Sequence, residues 1–109
     1  MITAQSFSFK DLLASSDLPL LIVFFSPLCG PSHLMDAVLQ EVAQRTIDRL
    51  QIVKIDSESY PSLASQYEIH ALPTLLLFQH GELIARLEDE RTENLMPADR
   101  LMHLLEFHL

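Results

Sequence analysis

The chain has 109 residues, a length that suits a single domain spanning 1–109. Apolar residues make up 49% and only two are Gly, which excludes a disordered chain and calls for a packed core. A net charge of −8 argues against nucleic acid or an anionic membrane as partner, and one Cys excludes an internal disulfide and points to a reducing, cytoplasmic setting.

The opening stretch "MITAQSFSFKDLL" has neither the basic start nor the continuous apolar run of a secretory leader, so a soluble chain is expected. "MITA" suits an edge strand. Phe9, Leu12 and Leu13 then fall at helical spacing, with Ser6 or Ser8 as candidate N-caps. Leu18 to Phe25 is an almost unbroken apolar run, the pattern of a strand buried on both faces, and Pro27 ends it. That whole run, "LPLLIVFF", has eight residues against the ~20 that cross a bilayer, so no membrane span is expected.

From Pro31 to about Leu50 the period changes. Leu34, Val38, Val42 and Ile47 recur at helical spacing, with Met35, Leu39 and Ala43 widening the stripe. Pro31 fits the first turn of that helix, where its missing N–H costs nothing. "QIVKID" follows as a second buried strand, and "YPSLASQYEI" as a helix opened by Pro61. "TLLLFQ" and "ELIARLE" are two more strands, joined by His80-Gly81 in a short hairpin and therefore antiparallel. Residues 88 to 94, "EDERTEN", suit a charged loop. The last helix starts near Pro97, with Leu101, Leu104, Leu105 and, at its end, Leu109 expected on its inner face. The alternation predicts an α/β fold, a central mixed β-sheet of four to five strands flanked by helices on both faces.

Two segments, "LIVFFSPLCGPS" and "VKIDSESYPSLASQYEIHALPTLLLFQHGEL", stand in an order and at a separation that resemble the thioredoxin family, and the resemblance covers almost the whole chain. It implies a thioredoxin fold, with Cys29 as the attacking sulfur in a Cys29-Gly30-Pro31-Ser32 motif. It also implies that Pro73, in Tyr67-Glu68-Ile69-His70-Ala71-Leu72-Pro73-Thr74, is a cis-proline facing that cysteine. Leu28, Leu72, Thr74 and His33 then become candidates for the substrate groove.

The chain departs from the family pattern where the chemistry lies. Family members reduce disulfides in two steps, and their second cysteine attacks the mixed disulfide formed by the first. Ser32 occupies that second position, and a hydroxyl forms no stable bond to sulfur. Val23, six residues before Cys29, stands where the family commonly carries a buried Asp. Leu28 and Phe25 replace two usual Trp residues, and the chain has none. A helix beginning beside Cys29 favours a thiolate there; the competing expectation is a small, buried, inert cysteine.

The resemblance thus implies a monothiol redox protein whose partners are client proteins with a cysteine or disulfide, and glutathione. An outside thiol resolves the adduct, and thioredoxin reductase, which needs a dithiol couple, is a poor partner. The same residues also suit two alternatives. One is a redox-inactive binding module that holds an extended client segment in the groove. The other is a variant engineered from Cys to Ser to trap mixed disulfides; a trap would keep the Asp and both Trp residues. Assembly on an iron–sulfur cluster, as in monothiol glutaredoxins, expects Cys-Gly-Phe-Ser, and Pro31 disagrees with it. Cys29 and His33 supply at most two ligands, too few for zinc, so no metal or cofactor is expected. His33 is expected to face solvent and His70 to lie near the rim of the site. A monomer, or a weak dimer through Cys29, is expected.

Overall fold

The computed structural model describes residues 2–3, 9–15, 17–26, 30–70, 72–88 and 98–107. In chain order the elements are β1 (Ile2–Thr3), α1 (Phe9–Ser15), β2 (Leu20–Phe25), α2 (Gly30–Arg45), β3 (Gln51–Asp56), α3 (Pro61–Gln66), β4 (Thr74–Gln79), β5 (Glu82–Glu88) and α4 (Ala98–Glu106). Five strands form one sheet in the order β1-β3-β2-β4-β5. β3 runs parallel to β1 and β2, while β4 runs antiparallel to β2 and β5.

Continuous apolar runs fill the middle of the sheet because helices cover both of its faces. Leu20 through Phe24 are all buried. Their side chains alternate between two packed layers. Leu21 and Val23 join Met35, Leu39 and Val42 of α2 and Leu101, Met102 and Leu105 of α4. Leu20, Ile22 and Phe24 join Phe9, Leu12 and Leu13 of α1 and Leu63 and Ala64 of α3. Each fully buried Leu, Ile or Phe contributes about 1.5–3 kcal/mol, so this strand is the anchor of the whole domain. On the second layer Phe9, Tyr67 and Phe78 meet edge to face, with ring centroids 5.6–5.8 Å apart.

"QIVKID", "TLLLFQ" and "ELIARLE" are strands over the expected residues. His80 and Gly81 join the last two with φ of 54° and 81°, the left-handed pair that a two-residue hairpin turn requires.

Several boundaries differ from expectation. Leu18 is exposed and β2 begins only at Leu20, after Pro19. α2 ends at Arg45 rather than near Leu50, and residues 46–49 form a turn with Asp48 at φ 67°. Ile47 therefore leaves the apolar stripe and is 68% exposed, while Thr46 is fully buried with Oγ1 donating to the Val42 carbonyl at 2.7 Å. The helix opened by Pro61 stops at Gln66, and Glu88, expected in the charged loop, ends β5. Ser6, Ser8, 89–94, Pro97 and Leu109 lie outside the described residues, as do the side chains of Leu34 and Leu104.

Candidate functional site

Chain direction gathers the site at one end of the sheet. β2 and β3 are parallel, so Phe25 and Asp56 end together. β4 runs the other way, so its first residue, Thr74, pairs with Phe24. α2 begins at Gly30, five residues after β2. Ser26 thus lies at the carboxyl end of a central strand, where α/β folds commonly place their ligands.

The exit of that strand is fixed from the side by the β3–α3 connection. The Ser57 N–H and Oγ both donate to the Phe25 carbonyl, at 3.0 and 3.2 Å. Ser26 is buried, and its Oγ donates to Glu58 Oε1 at 3.4 Å. Asp56 organises the connection itself, accepting from the Glu58 N–H on Oδ1 at 2.9 Å.

The Leu72–Pro73 peptide bond is cis. Pro73 and Thr74 are buried and Leu72 is half-buried. These three residues enter β4 directly opposite the exit of β2. Gly30, Pro31, Ser32 and His33 form the first turn of α2, and only their backbone is described. Leu28 and Cys29 lie outside the described residues. His70 is exposed, and among the described residues no group of three or more His, Cys, Asp or Glu converges as a metal site would require.

Among the described residues, apolar side chains of β2 lie beneath the site, and a Lys–Asp pair lies beside them. Val23 is 1% exposed and packs with the α2 and α4 side chains. Its register partner on β3 is Lys54. The Lys54 ammonium sits 4.6 Å from the centre of the Phe25 ring and 2.5 Å from Asp36 Oδ1 on α2. The ring face and the carboxylate both attract the ammonium. The Lys54–Asp36 pair links β3 to the helix whose first residue follows Cys29.

Sequence pattern did not single out Lys54 and Asp36. The only signal was a Lys inside an otherwise apolar strand, "QIVKID". Nor did it single out Arg86 on β5, whose guanidinium donates to the Tyr67 carbonyl at 2.5 Å and the Glu68 carbonyl at 2.7 Å. Burial pushes the Tyr67 phenol above its ordinary pKa.

The family model described as Thioredoxin matches residues 1–99. Thioredoxin Y2, chloroplastic, of Arabidopsis thaliana is 46% identical over 99 residues, covering 91% of this chain and 56% of that protein. A thioredoxin-like protein of Synechocystis sp. is 39% identical over 87 residues, covering 80% of this chain and 83% of that one. Among solved structures, mitochondrial thioredoxin 3 from Saccharomyces cerevisiae in its oxidized form is similar at a TM-score of 0.70 and 30% identity, over 78% of each chain. The chain spans about half the length of the curated plant relatives it matches.

Proposed function

The chain belongs to the thioredoxin family, and from that premise we propose that it is a thiol redox protein working with one sulfur, Cys29. The Cys29 thiolate attacks a disulfide on a client protein, or the disulfide between a client and glutathione. A bond forms from Cys29 to one sulfur, and the other leaves as a thiolate that takes up a proton. Ser32 cannot complete the exchange. An external thiolate, from glutathione or from a second client cysteine, attacks the mixed disulfide and returns Cys29 to the thiolate. When Cys29 takes the glutathionyl sulfur from a client, one further glutathione releases Cys29 and leaves as oxidised glutathione, so the client sulfur is reduced at the cost of glutathione. When a second client cysteine resolves the adduct, the client disulfide is exchanged with no net gain of electrons.

The observation that carries this proposal is Val23. The position six residues before Cys29 is 1% exposed among apolar side chains. A buried carboxylate there would be costly to keep without a task, and with Ser32 in the second position no second thiol needs deprotonating. The start of α2 at the residue after Cys29 supports a stabilised thiolate, because the free N–H groups of a helix start favour negative charge. Leu72, half-buried, is the residue of this stretch that an extended client would meet, with the buried Pro73 and Thr74 fixing its place. The lone cysteine supports a cytoplasmic, reducing location.

The test is the alkylation rate of Cys29 against pH, followed by capture of covalent adducts from a lysate. The midpoint is expected below the ~8.5 of free cysteine, with adducts that a Cys29→Ala variant does not form. A midpoint at or above that value, with no thiol-dependent adducts, removes the redox role.

A further inference from the structure

The end of α3 is built against the preference of its residue. The Ile69 N–H donates to the Ala64 carbonyl at 2.9 Å, and the Glu68 N–H to the Ser65 carbonyl at 3.1 Å. This pair of bonds closes a helix with a left-handed residue, and Glu68 is that residue, at φ 52°. Glycine adopts this conformation freely and glutamate does not. A bond from outside the helix would offset that cost.

Arg86 supplies it. It lies on the edge strand β5, opposite Leu76, and reaches across 18 and 19 residues of sequence. Its two terminal nitrogens take the carbonyls on either side of the Glu68 Cα, those of Tyr67 and Glu68 itself, at 2.5 and 2.7 Å. One planar fork bonded to two successive carbonyls fixes the rotation between them. The same cation also faces the carbonyl end of a helix, where positive charge is favoured. Four residues after Glu68 the chain enters Leu72, Pro73 and Thr74.

We infer that Arg86 is a positioning residue, a clamp that holds the left-handed Glu68 and thereby sets the path of the chain into the Leu72–Thr74 side of the client groove. The inference rests on the proposed role of that groove. It makes the reaction of Cys29 with an extended client depend on Arg86, and leaves its reaction with a small reagent independent of it.

The experiment compares wild type with Arg86→Ala, Arg86→Lys, Glu68→Gly and the Glu68→Gly/Arg86→Ala double variant. Each reacts with iodoacetamide and with a short peptide whose cysteine is capped by glutathione, and amide exchange at Ile69 is followed in parallel. For Arg86→Ala the peptide reaction is expected to slow about tenfold while the iodoacetamide rate holds. Exchange at Ile69 is expected to quicken by a similar factor as the helix end opens. Lys, whose ammonium lacks the rigid planar fork, should rescue only part of the loss. In the Glu68→Gly background the loss should shrink, since glycine needs no clamp. A peptide rate unaffected by Arg86→Ala, or peptide and iodoacetamide rates that fall together, overturns the inference. If wild type reacts with neither reagent, the redox role fails by itself, and exchange at Ile69 decides the clamp: faster in Arg86→Ala supports it, unchanged refutes it.

Discussion

Val23 faces Lys54 across the parallel pair of β2 and β3, and both look toward α2. Lys54 already has a partner in Asp36. A carboxylate placed at position 23 would be buried and would compete for an ammonium already engaged. Val23→Asp is therefore expected to destabilise the protein by about 2 kcal/mol in urea denaturation at neutral pH. Adding Asp36→Asn should return part of that loss, because Lys54 then turns to the new carboxylate. Tyr67 gives a second prediction. Burial raises its pKa, so the folded protein holds the phenol proton more tightly than the unfolded chain does. The unfolded state releases that proton first as pH rises. The contribution to stability is thus complete below the unfolded value of about 10 and is lost as pH climbs through the folded value. Difference titration of tyrosinate absorbance between wild type and Tyr67→Phe should place this group above the ordinary tyrosine range.

The strands were legible almost to the residue, because each is bounded by a breaker or a turn and the central ones are largely apolar runs. "QIVKID" follows a turn, "TLLLFQ" follows Pro73, and His80-Gly81 separates it from "ELIARLE". The end of α2 was not legible. Apolar spacing continues through Ile47, but the helix stops at Arg45 and a left-handed Asp48 redirects the chain toward β3. Thr46 takes the buried place by bonding its hydroxyl back to Val42, so a polar residue lies inside where the pattern expects Ile47. Two substitutions measure the difference. Leu39→Ala, at 1% exposure, should cost about 3 kcal/mol, whereas Ile47→Ala, at 68%, should cost less than about 0.5 kcal/mol. Comparable losses would mean that Ile47 packs after all. The candidate site was legible only along the chain. Cys29, Ser32 and Pro73 stand out by motif, while Lys54, Asp36 and Arg86 owe their place to contacts between distant segments, which spacing does not encode.

At the scale of the molecule, a net charge of −8 acts on encounter before it acts on chemistry. Basic peptide disulfides should react faster than acidic ones at low salt, and the two rates should converge as ionic strength rises and shortens the reach of the field. The fold sets the fixed exit of β2 beside the buried start of β4, and α2 begins at Gly30, the residue that follows Cys29 in the chain. From that arrangement comes the central claim, that Cys29 captures another sulfur and cannot release it alone. The most direct measurement is intact mass over time after the reduced protein meets one equivalent of a disulfide between a single-cysteine peptide and glutathione, with free glutathione added once the reaction levels off. The predicted result is a one-to-one adduct on Cys29 that persists until glutathione arrives and then clears. No adduct, or an adduct that clears before any other thiol is added, contradicts the claim.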